Sequence, residues 1–206
     1  MPNRKGISTL FLDIGGVLLT NGWDRNMRKK AAEKFQLDYA ELNERHHMTF
    51  AAYEEGKLSM DEYLHLVVFY KKRAFNFNTF REFIFKQTAP LPDMIRMFKA
   101  VSERNSLKVG AISNEGRELT IYRVSTFGLK DFIQFFICSC FVHFRKPDKD
   151  IYRIALDVGQ VTPEQSIYVD DRRLHVEVAQ SLGLNAIHHT DIDRTRQALS
   201  DYGLTE

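Results

Sequence analysis

The chain has 206 residues, enough for one good core plus a modest inserted subdomain but short for two full domains. With 44% hydrophobic and 27% charged residues it has the balance of a folded globular protein, which excludes a disordered chain. A formal net charge of +2 is too weak for nucleic-acid or membrane binding to be read from field strength, so no nucleic acid and no membrane are expected as partners. No apolar run approaches the ~18 residues that span a bilayer. The start Met1-Pro2-Asn3-Arg4-Lys5 leads into a strand rather than a signal segment, and a cytoplasmic protein is expected.

The first element is the apolar run Leu10-Phe11-Leu12, which ends in Asp13-Ile14-Gly15-Gly16 before Val17-Leu18-Leu19. It reads as a buried strand that delivers one carboxylate to its carboxyl end, where the ligands of parallel α/β sheets sit. Gly15 and Gly16 allow close backbone approach there. From Leu19 the pattern turns helical and stays so to about Gln87. Gly56 stops one helix, and Ser59-Met60-Asp61-Glu62 is a capping box that predicts the next over Met60 to Lys72. The phenylalanines at 75, 77, 80, 83 and 85 read as core packing rather than a cofactor box. Arg28-Lys29-Lys30 and Lys71-Lys72-Arg73 read as solvated helix faces and ends.

Beyond Leu91 the text alternates helix and strand. Pro92 opens a helix to about Arg104, Leu107 to Ile112 is a buried strand ending in Ser113-Asn114-Glu115-Gly116, and a helix follows. Phe135 to Val142 is read as the next strand, leading through Arg145-Lys146-Pro147-Asp148 to a helix with Ile151, Ile154 and Ala155. Thr162-Pro163-Glu164-Gln165 is a second capping box; Ser166 to Val169 is a strand ending in Asp170-Asp171, and a helix closed by Gly183 precedes a last strand at Asn185 to Ile187. This alternation predicts an α/β fold: a Rossmann-like parallel sheet with helices on both faces. The expected organisation is a core from residues 1–19 and 89–206, with 20–88 a helical cap inserted after the first strand, above Asp13. Cys138 and Cys140, two apart on the presumed strand, read as buried free thiols. His188 and His189 lack metal-ligand spacing and read as surface residues, while Trp23 is a candidate for the site entrance or for packing.

Four strand ends thus carry polar groups: Asp13, Ser113-Asn114, Lys146 and Asp170-Asp171. Gathered in one crevice, three carboxylates and one ammonium call for a further countercharge, and hard oxygen ligands of this kind suit Mg²⁺. Lys146 cannot ligate a metal while charged; it fits as the neutraliser of Asp13 and of a phosphoryl group.

In this order and spacing, Asp13-Ile14-Gly15-Gly16-Val17, Ser113 with Asn114, Arg145-Lys146-Pro147 and Asp170-Asp171 resemble the four motifs of the haloacid dehalogenase superfamily, over the whole chain. The resemblance implies a phosphatase of small phosphorylated metabolites such as sugar phosphates, in which Asp13 attacks phosphorus and forms an aspartyl-phosphate. Catalytic roles fall to Asp13 and Lys146, and substrate binding to Ser113, Asn114 and Gly16. Magnesium would be held by Asp13, the Gly15 carbonyl, Asp170 and Asp171. The sequence departs from the pattern at Gly15, where the phosphatases usually carry a general-acid aspartate, and losing such an acid costs about 10²–10⁴-fold. Asp24, His46 and His47 are candidate substitutes, each set against a role as a solvated helix residue. Two alternatives follow from the same departure: a 2-haloacid dehalogenase, since a halide needs no proton, or a catalytically impaired relative that binds a phosphoryl ligand or a protein partner.

Overall fold

A computed structural model describes residues 6–206; the Met1–Lys5 lead-in lies outside the described residues. Five parallel strands form one sheet in the order β3-β2-β1-β4-β5: β1 (Thr9–Leu12), β2 (Lys108–Ser113), β3 (Phe135–Cys138), β4 (Ser166–Asp170) and β5 (Asn185–His188). All four residues of β1 are buried, as a central strand covered on both faces requires. The strand order reverses at β1, the switch point where a crevice opens between diverging connections. Leu12 pairs with Val169 on one side and Ala111 on the other, so the next register position sets Asp13 level with Asp170 and with Ile112, just short of Ser113.

One face of the sheet packs Leu10, Leu12 and Val109 on α5 (Pro92–Arg104) and α10 (Ile192–Asp201), through Met97, Phe98, Val101 and Leu199. The other packs Phe11, Ile112 and Tyr168 on α8 (Lys149–Gly159) and α9 (Arg173–Ser181). Between β1 and β2 four helices gather around an apolar cluster of their own: α1 (Arg25–Lys34), α2 (Tyr39–Glu54), α3 (Met60–Val67) and α4 (Phe77–Phe85). Each has a side-chain N-cap, from Asp24, Asp38, Ser59 and Asn76, which satisfies amides left without partners in the first turn. Leu119, on α6 (Arg117–Thr126), joins this cluster. The Glu54 carbonyl accepts from Ser139 Oγ at 2.6 Å, and the Glu54 carboxylate pairs with Arg145 at 2.7 Å, tying the end of α2 to the sheet side.

Several local expectations change. The helix opened by the Ser59 capping box ends at Val67, because the Phe69 amide turns back to the Leu64 carbonyl and Arg73 Nε takes that of Val68. Phe69 then packs among Phe75, Phe77 and Phe80. The run Phe135 to Val142 is a strand only to Cys138 and continues as a single helical turn, α7 (Ser139–Val142), so Cys138 and Cys140 do not share a strand face; both are nonetheless buried and free. The second capping box is present and opens a 3-10 turn, Pro163–Gln165. Arg28 is no solvated face residue: it is buried and donates to the Trp23 carbonyl at 2.8 Å.

Candidate active site

Asp13, Asp170 and Asp171 converge at the carboxyl edge of the sheet, each offering a ligand atom within 4.8 Å of the others. Lys146, 1% exposed, reaches into this group from the loop between α7 and α8. Its Nζ lies 2.7 Å from Asp170 Oδ2 and 3.1 Å from Asp13 Oδ1, and donates to the Ile112 carbonyl at 2.9 Å and to Tyr168 Oη at 3.1 Å. Asp170 is wholly buried and accepts further from the Tyr168 hydroxyl, from His175 Nδ1 at 3.1 Å and from the Arg172 amide at 2.7 Å.

These neighbours divide the work among the acids. Burial alone would raise the Asp170 carboxyl, but Lys146 and His175 outweigh it and hold the group well below the usual carboxylate range. At Asp13 burial dominates: opposed by Lys146 and reinforced by Asp170 and Asp171, it pushes the carboxyl up to about 6. Asp171 is likewise raised, by burial and then by the charge of Asp170. Lys146 keeps its proton, because the attraction of Asp13 and Asp170 overcomes the cost of burial. Among the described residues Lys146 is the one lysine set amid the three acids, with His175 beside Asp170 and Arg172 acting on Asp171. Asp171 Oδ1 is moreover buried without a hydrogen-bond partner among the described residues. A hard-oxygen donor set with an orphaned carboxylate oxygen fits a divalent cation such as Mg²⁺.

Around this cluster runs a cleft of ≈ 90 Å³. Asp13, Gly15, Ser113, Asn114 and Lys146 line it from the sheet side, and Trp23, His46, Phe50, Tyr53 and Glu54 from the helical side. Gly16 sits at a positive φ of +80°, and a Cβ there would fall 2.2 Å from Asp171 Oδ2, so only glycine leaves that carboxylate its position. Asn114 lines the cleft while its Oδ1 accepts from the Lys146 amide and its Nδ2 donates to the Lys146 carbonyl, both at 2.8 Å, so the side chain also positions the lysine.

The three candidate acids fare differently. Asp24 lines the cleft, with its Oδ1 capping α1 through the Met27 amide at 2.9 Å, whereas His47 is exposed with Nδ1 against the Asn43 carbonyl. His46 lines the cleft as well, buried beside Tyr63. Trp23 Nε1 can only donate, so it occupies the Tyr63 oxygen at 2.8 Å, and the Tyr63 hydroxyl proton then points to His46 Nδ1 at 2.7 Å. Burial and the nearby Arg28 charge push that imidazole down to about 3, so it stays neutral. His188 is exposed, while His189 is half-buried against Thr195 Oγ1. Absent from the sequence reading were the His175 contact to Asp170 and the buried ion pair between Arg123 and Glu115 at 2.8 Å. Glu115 could have been found from its place directly after Ser113-Asn114.

Fold and cluster together define a Rossmann-like α/β protein with an acidic crevice at the switch point of its sheet. Residues 26–188, which hold Ser113, Lys146 and the 170–171 pair, match the family model for haloacid dehalogenase-like hydrolases, and the chain belongs to that family. Among curated proteins it is similar to bifunctional epoxide hydrolase 2 of Sus scrofa, 32% identical over 34% of this chain and 13% of that protein. It is also similar to the chloroplast flavin mononucleotide hydrolase 1 of Arabidopsis thaliana, 30% identical over 37% of this chain and 31% of that one. The matched stretch thus spans less than a third of either relative's length. Among solved structures, a HAD family enzyme of Bacteroides thetaiotaomicron, in complex with magnesium and inorganic phosphate, superposes with a TM-score of 0.74 at 19% identity, covering 89% of this chain and 94% of that one. An L-2-haloacid dehalogenase superposes at 0.62 with 16% identity, over 87% and 83% of the two chains. Among the described residues no helix is long and apolar enough to cross a membrane.

Proposed function

We propose that the protein is a magnesium-dependent phosphatase of small phosphorylated metabolites, sugar phosphates among them, working through an aspartyl-phosphate on Asp13. The observation that carries this reading is the convergence of Asp13, Asp170 and Asp171 within 4.8 Å around one buried lysine. Asp13 is the nucleophile, and a covalent carboxylate intermediate divides one hard displacement into two. Lys146 sets its ammonium against both Asp13 and the charge that spreads over the phosphoryl oxygens. Ser113 and the Gly16 backbone hold those oxygens, and Asn114 keeps Lys146 in place. Asp13, the Gly15 carbonyl, Asp170 and Asp171 would hold the Mg²⁺, which when bound supplies charge neutralisation to the phosphoryl group. Residues 20–88 act as a lid over a core of 1–19 and 89–206; the aromatic wall of Trp23, Phe50 and Tyr53, with Arg145 and Arg172 beside it, suits a small polar phosphoester. Two buried thiols, Cys138 and Cys140, fit a cytoplasmic, reducing setting.

A 2-haloacid dehalogenase is the second reading, favoured by Gly15, since halide departure needs no proton. The orphaned Asp171 oxygen weighs against it, because attack on carbon uses no metal. A screen of sugar phosphates, nucleotides and acyl phosphates, with Mg²⁺ or with EDTA, tests the proposal. Phosphate release should require Mg²⁺ and be lost in Asp13→Asn, whereas release by that variant, or by the EDTA-treated protein, would refute it.

A further inference from the structure

With Gly15 two residues beyond Asp13, the phosphatase reading lacks a proton donor for the leaving oxygen. A Cβ on residue 15 would meet Asn21 Oδ1 at 2.9 Å, Arg123 Nη2 at 3.6 Å and Arg123 Nη1 at 3.9 Å. Arg123 is itself buried, with Nη2 donating to the Thr20 carbonyl and Nη1 to Glu115 Oε2, both at 2.8 Å. A guanidinium is therefore among the groups nearest to residue 15, and its Nη1 carries another carboxylate, that of Glu115.

That carboxylate faces the site. Glu115 lines the same cleft as Asp13, Ser113 and Lys146, and its side chain is 12% exposed, against 3% for Arg123. Its Oε2 lies 3.5 Å from the Cβ that Gly22, another cleft residue, would carry. The backbone is fixed as well: the Glu115 amide donates to Ser139 Oγ at 3.1 Å, and Oε1 accepts from the Gly116 amide at 3.1 Å. Here burial, opposed by Arg123 and reinforced by Glu54 on α2, pushes the Glu115 carboxyl up to about 7, the range in which one group can both give and take a proton near neutrality.

We propose that Glu115, oriented by Arg123, is the general acid and base of this site. The inference rests on the phosphatase reading. In the first step an Asp13 oxygen bonds to phosphorus, the bond from phosphorus to the leaving oxygen breaks, and the Glu115 proton passes to that oxygen, releasing the alcohol. In the second the Glu115 carboxylate takes a proton from water as the water oxygen bonds to phosphorus and the Asp13–phosphorus linkage breaks, returning the Asp13 carboxylate and inorganic phosphate.

The test is kcat/KM with Mg²⁺ for an alkyl phosphate and for p-nitrophenyl phosphate, in wild type and Glu115→Gln. An alkoxide needs its proton and nitrophenolate does not. The variant should lose about 10²–10⁴-fold on the alkyl ester and only a few-fold on the nitrophenyl ester. Equal losses on both esters would mark a structural role and overturn the inference, as would no loss on either. Should Glu115→Gln fail to fold, Glu115→Asp keeps the charge against Arg123 while withdrawing the carboxyl, and the same selective loss is expected. If the wild type releases phosphate neither from these esters nor from any compound of the screen above, the phosphatase reading itself fails and this inference with it.

Discussion

Replacing Lys146 by Met removes the cation and keeps most of the side-chain volume, so the result reports charge rather than a cavity. The ammonium is 1% exposed and sits 2.7 Å from Asp170 and 3.1 Å from Asp13, both of which would be left buried without their main countercharge. Breaking a buried pair in this way costs about 3–5 kcal/mol. At ~2–4 °C per kcal/mol for a chain of this size, the melting temperature should drop by roughly 6–20 °C. The sign of the pH dependence follows from the same contacts. In the wild type Lys146 and His175 hold the Asp170 carboxyl low, so its stabilisation is present above the ordinary value of 3.8 and is lost as pH falls below it. In Lys146→Met both acids are raised, so the variant recovers stability as pH falls and they protonate. Urea unfolding with EDTA at about pH 8 and about pH 5 should show the deficit at the higher pH and a smaller one at the lower. Mg²⁺ should partly restore the variant at pH 8 by supplying the missing positive charge. A deficit below about 1 kcal/mol, or one that does not change with pH, would refute the assignment of Lys146 as the countercharge of this cluster.

Two further predictions concern its neighbours. Gly16→Ala combines a φ of +80° with a Cβ 2.2 Å from Asp171 Oδ2; it should displace that carboxylate and weaken Mg²⁺ binding at least tenfold by calorimetry, and unchanged affinity would contradict the place given to Asp171. Glu115 and His46 should give the metal-free protein opposing pH limbs. The Glu115 carboxyl, raised to about 7 from 4.5, contributes stability that is full below its unfolded value and is lost as pH rises through 7, so Glu115→Gln should flatten part of the fall between about pH 5 and 8, Asp13 supplying the rest. His46, pushed to about 3 from 6.5, costs stability as pH falls below its unfolded value, so His46→Gln should be relatively more stable at about pH 5 than at 8. Unfolding curves across this range that superpose on the wild type would contradict both shifts.

Much of the fold is local, and that part is legible in the chain. Leu10-Phe11-Leu12 is apolar on both faces because it is the central strand, and Ser59 with Glu62 forms the capping box that its spacing announces. What sequence cannot carry is decided by side-chain contacts that no local pattern announces. The helix after Ser59 stops at Val67 because Phe69 is drawn into the rings of Phe75, Phe77 and Phe80. Arg28 is buried because the Trp23 carbonyl and Asn43 happen to lie beside it. The same holds at the site. The motif residues lie at strand ends, so their meeting follows from a parallel sheet. The pairing of Glu115 with Arg123 follows instead from the turn of α6 over the Thr20 carbonyl, which no motif records. Asn114 looks like a ligand-binding amide by position, and only the fold shows both its ends engaged with the Lys146 backbone.

The most direct test of the central claim is to look for phosphorus on Asp13. Protein incubated with an acyl phosphate and Mg²⁺, quenched in acid and digested, should yield a phosphoryl-sized mass increase on the peptide holding Asp13, absent with EDTA and absent in Asp13→Asn. Steady Mg²⁺-dependent phosphate release with the modification on another residue, or with none trapped and Asp13→Asn still active, would contradict it.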